Sequence, residues 1–206
     1  MQFSLVIVFV LAIASAFVSG CGATKIVTEW SNADYASPRL KRIMVIGVSK
    51  QPSIRRTFED EFVKKLKTTG VDAVPSYLYV PEDEQIDEPR MDQVVKQANA
   101  DAVIITRLVR VEKKTEVSPG FYQPAPAVSY GFYRGYSSAW LGYYEPPRIY
   151  QYDVYVSETS LYDVNKNQLV WTGTVETTDP SDIGNEIRRY VDIVTEALKN
   201  KNILPS

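Results

Sequence analysis

The run Ile43-Met44-Val45-Ile46-Gly47-Val48 constrains the fold of this 206-residue chain more than any other feature. Its length and composition are those of a buried strand. The period then changes. Pro52 and Ser53 open a segment in which Ile54, Phe58, Phe62 and Leu66 recur every four residues, with Val63 beside them, and Gly70 stands where a helix would end. Asp60 with Lys64, and Glu61 with Lys65, are oppositely charged one turn apart. Residues 71–80 read as a second strand, interrupted at Pro75 and therefore expected at an edge or a bulge. An acidic stretch leads into a short helix with Met91, Val94, Val95 and Ala98 on one face. A third strand opens at residues 100–105, and Val103, Ile105, Arg107, Val109 and Val111 alternate with more polar neighbours, which predicts a long strand half exposed toward its end.

Farther on, residues 151–162 and 168–176 read as two strands of an antiparallel hairpin joined by the turn-forming Asp163-Val164-Asn165-Lys166-Asn167, with Leu169, Trp171 and Val175 on one face. A last helix begins near Asp179-Pro180-Ser181-Asp182 and carries Ile183, Ile187, Val191, Val194 and Leu198 as a stripe, with Arg188 and Arg189 on its solvated side. The order β-α-β-α-β-β-β-α predicts an α+β class with an α/β-like start: a mixed sheet of about five strands with about three helices packed on it. A tether over residues 21–39, with a root-mean-square reach of about 24 Å if flexible, would precede a single domain at residues 40–206. Alternatively, residues 25–30 add an edge strand.

Composition narrows the chemistry. Lys and Arg number 23 against 25 Asp and Glu, so a net charge of −2 offers no field for nucleic acid. Histidine is absent and Cys21 is the only cysteine, which removes the commonest general base, the commonest metal ligand, any internal disulfide and any thiolate cluster. The triplet Glu59-Asp60-Glu61 reads as solvated helix charge, because adjacent helical residues point in different directions. Gly47-Val48-Ser49-Lys50 lacks the spacing of a phosphate-binding turn. No catalytic, cofactor-binding or metal-binding residue is expected, and the chain reads as a non-enzymatic module.

At the amino terminus, residues 3–18 carry no charge and end among small residues, the pattern of an export signal over residues 1–20 and too short to span a bilayer comfortably. Met1-Gln2-Phe3 lacks the Lys or Arg usually found before such an apolar core. Val18-Ser19-Gly20-Cys21 resembles the lipobox of bacterial lipoproteins. That resemblance implies cleavage before Cys21, lipid on its sulfur and acylation of its new amino group, which gives firm attachment to a membrane. Gly22 in place of an Asp implies the periplasmic face of the outer membrane. A plain cleaved secretory signal and a buried amino-terminal helix remain the alternatives. With the element order and the stretch Ala98-Asn99-Ala100-Asp101-Ala102-Val103-Ile104, the chain also resembles a group of periplasmic lipoproteins and domains: the curli-secretion lipoprotein, activators of penicillin-binding proteins, and the amino-terminal domain of the Tol translocation protein.

Between the third strand and the hairpin lies an insertion, residues 117–150. Residues 119–155 hold nine of the fourteen tyrosines and are broken by Pro124, Pro126, Pro146 and Pro147. Rings that combine apolar area with a wettable hydroxyl suit a contact surface. Phe121, Tyr122, Tyr130, Phe132, Tyr133, Tyr136, Trp140, Tyr143 and Tyr144 are the candidate partner-binding residues, and an envelope protein is the expected partner. Two other readings stay open: a loop folded over the sheet as cover, and an oligomeric secretion or channel component with a membrane hairpin. Residues 130–140 do not alternate cleanly enough to favour a spanning strand.

Overall fold

A computed structural model describes residues 24–35, 40–81, 86–123, 133, 136, 143–180 and 182–205. The export signal, Cys21, Tyr130, Phe132, Trp140 and the Tyr143 ring lie outside the described residues. Eight strands and three helices are present among them: β1 Thr24–Ser31, β2 Arg42–Val48, α1 Pro52–Thr68, β3 Asp72–Pro75, α2 Glu88–Gln97, β4 Ala102–Ser118, β5 Phe121–Gln123, β6 Tyr143–Glu145, β7 Arg148–Asp163, β8 Gln168–Thr178 and α3 Ile183–Asn200. Six strands form one mixed sheet in the order β1-β8-β7-β4-β2-β3, and β5 pairs only with β6. The class is α+β, as expected, with one more strand in the sheet than the sequence reading has.

That extra strand is β1. Thr24–Ser31 runs antiparallel to β8, so this part of the stretch read as a tether is the edge strand that residues 25–30 offered as the alternative. Tyr35 then pins the chain to the β7–β8 turn, its hydroxyl donating to Asp163 at 2.7 Å. Lys166 stands over its ring at 4.6 Å.

β2 pairs in parallel with β3 on one side and β4 on the other. The crossover through α1 and the crossover through α2 therefore travel in opposite directions along the sheet, and a common right-handed sense puts the two helices on opposite faces. The packing agrees. Ile43 and Val45 meet Phe62 and Leu66 of α1 and Val191, Val194 and Leu198 of α3, whereas Met44 meets Val94, Val95 and Ala98 of α2. Burial on both faces is why β2 is apolar without alternation. Each large core side chain so buried contributes about 1.5–3 kcal/mol relative to exposure.

Helix ends follow the sequence signals with small shifts. Gly70 takes φ +82° just after α1, a left-handed conformation that glycine adopts without a Cβ clash. Asp87 and Asp182 cap α2 and α3, accepting from the backbone N–H of Arg90 at 3.1 Å and Asn185 at 2.9 Å. Pro180 therefore precedes the cap of α3 rather than sitting in its first turn. The second expected strand is shorter than its apolar run: β3 ends at Pro75, and Ser76–Leu78 form a 3-10 turn. Its edge position is as the proline implied. In β8 a register shift at Leu161/Tyr162 turns both Val170 and Trp171 into the core, so Leu169 does not share their burial. The Trp171 ring folds flat along its own strand over Gly173, where a Cβ would stand 2.3 Å from the indole.

Two expected ion pairs rearrange. Lys65 reaches Asp192 of α3 at 2.6 Å, Glu61 faces Lys64 at 3.9 Å and Arg188 at 3.7 Å, and Asp60 accepts the Tyr77 hydroxyl at 2.6 Å. Charge thus ties α1 to α3, and Arg188 is part of that tie.

Candidate interaction surface

β4 and β7 are much longer than their neighbours. β2 follows β4 only to the pair Val48 with Arg107, and β8 follows β7 only to the pair Val154 with Thr178. Beyond those points the two strands continue alone, β4 to Ser118 and β7 from Arg148, as a two-stranded ribbon projecting from the sheet. The insertion read over residues 117–150 begins and ends inside this ribbon.

A bulge between Leu108 and Arg110 sets the ribbon's faces. Before it, Thr106 lies on the α3 face, its hydroxyl 2.7 Å from Thr159, which in turn is 2.7 Å from the Tyr190 hydroxyl. The extra residue reverses the phase. Val111, Lys113, Thr115 and Val117 then take the α3 face, opposite Tyr155, Asp153, Gln151 and Ile149, while Arg110, Glu112, Lys114 and Glu116 take the other. The simple alternation read from Val103 to Val111 is broken here. The half-exposed far end is as expected: every residue from Arg107 to Ser118 is exposed except Glu112, which is partly covered.

The second face carries a row of alternating sign. Arg110 donates to Glu112 at 2.5 Å and Lys114 stands 3.7 Å from the same carboxylate. The Arg110 hydrogen bond chiefly, with both cations adding, holds the Glu112 carboxyl below the usual carboxylate range. The sequence reading missed this row, although Arg110, Glu112, Lys114 and Glu116 at two-residue spacing are its signature in a strand.

At the tip, β5 and β6 hold Tyr122 opposite Tyr144 and Phe121 opposite Glu145. Phe121, Tyr122 and Tyr144 are exposed, as are Tyr133 and Tyr136. Along the shaft Val117 and Ile149, directly opposed, are 60% and 69% exposed. Five of the nine candidate rings are thus described, and all five lie open to solvent.

Elsewhere the polar chemistry is structural. Glu59 is fully buried, which corrects its reading as solvated helix charge. One carboxylate oxygen accepts from the Gly47 N–H at 3.0 Å, Arg55 Nε at 2.9 Å and the Ser76 hydroxyl at 2.8 Å, and the other accepts from the Tyr77 N–H at 3.0 Å. Arg55 also donates to Ser76 and to the carbonyls of Val80 and Pro81. The pair thus ties β2, α1 and the 3-10 turn together. A cleft of about 450 Å³ opens between the starts of α1 and α3, with Phe58, Leu108, Tyr155, Ile187 and Tyr190 in its wall. Burial pushes the Tyr190 hydroxyl well above the usual tyrosine range, which keeps it a neutral link to Thr159. Among the described residues no group of three or more Asp, Glu or Cys side chains is placed to hold a metal, and no helix is long and apolar enough to cross a membrane.

No protein family and no curated protein matches the sequence. Among solved structures, a point variant of the PelC dodecamer from Paraburkholderia phytofirmans is 12% identical with a TM-score of 0.43, the match covering 84% of this chain and 96% of that one. The lipoprotein GNA1162 from Neisseria meningitidis is 10% identical with a TM-score of 0.38, covering 78% and 99%. At these identities and scores the likeness does not extend to function.

Proposed function

We propose that this chain is a lipid-anchored envelope protein whose ribbon binds another envelope component, without catalysing a reaction. One observation carries the reading: a hairpin that leaves the core, is exposed over residues 113–118 and 148–151 and ends in exposed aromatic rings. Apolar side chains held out in water cost stability unless something covers them in use, and Tyr and Phe are the residues interfaces favour. The anchor is proposed from Val18-Ser19-Gly20-Cys21, with residues 1–20 removed, Cys21 lipidated and the body on the periplasmic face of the outer membrane. A membrane-spanning hairpin is the weaker reading. Lys113 and Asp153 sit on one face of the ribbon and Glu112, Lys114, Glu116 and Arg148 on the other, whereas a lipid-facing strand needs one face free of charge.

Replacing residues 119–147 by an Asn-Gly turn, which suits a two-residue hairpin, tests the binding claim. The shortened protein keeps the melting temperature of the parent and loses its cross-linked envelope partners. A shortened protein that melts lower and captures the same partners would show that the segment is cover. Intact mass of the protein from its native host reads the anchor, and a bare Cys21 thiol would remove it.

A further inference from the structure

We infer that two copies of this chain join edge to edge along β4, antiparallel, with Lys113 on the two-fold axis. The inference concerns the ribbon's edge and not its aromatic tip, so it stands or falls separately from the partner-binding reading above.

Three observations converge on that register. First, β4 has an open edge. Its last partner on the β2 side is Val48, opposite Arg107, so among the described residues the outward-turned N–H and C=O groups of Leu108 to Ser118 have no strand partner there. Open edges of this length template pairing with another strand. Second, Lys113 is the midpoint of that edge. A copy turned about Lys113 lays Arg110 to Glu116 beside Glu116 to Arg110, and the bulge at Val109 ends the regular pairing before it would meet the end of β2.

Third, the charge row complements itself at that register and at no neighbouring one. Residues equidistant from Lys113 face each other, which sets Arg110 against Glu116 and Glu112 against Lys114, each twice, all on one face. Moving the axis to Glu112 places Arg110 against Lys114. Moving it to Lys114 places Glu112 against Glu116. A slip of one residue would turn one copy's faces over. Cross-strand pairs of opposite charge stabilise a sheet and like charges directly opposite destabilise it. The two Lys113 side chains meet on the other face, where each has Asp153 directly opposite in its own β7. Charges on an edge strand usually guard it against pairing. Here the signs alternate so that a second copy neutralises them.

Charge exchange provides the test, read by sedimentation of the full-length chain in mild detergent across the micromolar range. E112K sets lysine against Lys114 at two symmetry-related places, and K114E sets glutamate against Glu112. Each substitution alone weakens self-association by about thirtyfold, with the far-ultraviolet spectrum and melting temperature unchanged because both side chains lie on the ribbon, outside the core clusters. Mixed together, the two variants form a one-to-one dimer, and the chain carrying both changes recovers parent affinity. Lys113→Cys forms a chain-to-chain disulfide on mild oxidation, whereas Val111→Cys, too far from its symmetry mate for an S–S bond, does not. Peptide mapping separates either from Cys21. A parent chain that sediments as a monomer throughout, single variants that associate like the parent, or a mixture that does not pair would each overturn the inference.

Discussion

β4 and β7 pass through two environments, and their two halves make a controlled comparison. Within the body Ile104 faces Leu161, and both are fully buried under α1 and α3. In the ribbon Val117 faces Ile149 with the same antiparallel pairing, and both are exposed. Strand pairing alone is the common factor. The body adds two layers of helices, and with them most of the free energy of folding, because an isolated two-stranded hairpin is only marginally stable in water. The ribbon thus holds its shape by continuing strands that are fixed elsewhere.

The comparison breaks most visibly at the buried carboxylate. Glu59→Ala leaves the Arg55 guanidinium buried without its counter-charge and should destabilise the body by about 3–5 kcal/mol in urea unfolding. A value below about 1 kcal/mol would mean that water reaches the site and that the lock is no lock. Next in size, Gly173→Ala drives a Cβ into the Trp171 indole. A loss of about 1–3 kcal/mol is expected, with a changed near-ultraviolet signal as the ring leaves its place. Asp182→Ala removes the cap of α3 and should cost about 1 kcal/mol. Smallest is the ribbon pair: Val117→Thr with Ile149→Thr, an exposed apolar pair made polar, should change global stability by less than about 0.5 kcal/mol. A large loss there would show that the ribbon is packed in solution and not projecting. Hydrogen exchange sharpens the same contrast, with amides of Ile104 and Leu161 opening only on global unfolding and those of the ribbon's outer edges exchanging far sooner.

Much of the body was legible because one period gives way to another: an apolar run, then a four-residue stripe, then a run again. Burial on both faces erases alternation in β2, and that erasure is itself readable. Glu59 was not legible. Its partners at Gly47, Ser76 and Tyr77 lie 12, 17 and 18 positions away, and only the folded chain brings those donors around one carboxylate. The edge strand β1 was only half legible, since a bulge between Ile26 and Thr28 breaks its alternation and most of its residues face solvent. The ribbon was legible as length and exposure but not as faces, because the bulge after Leu108 carries no composition of its own. The aromatic tip stood out by composition, and five of its rings are open to water.

The early start of β1 has a mechanical corollary. Two residues, Gly22 and Ala23, separate Cys21 from the first residue of that strand, a span of no more than about 11 Å even fully drawn out. Thr24 is itself clamped, its hydroxyl donating to Glu186 at the head of α3. A fatty mooring at Cys21 would then act as a pivot rather than a leash, keeping one flank of the molecule against the headgroups and deciding in advance which way the long hairpin can reach.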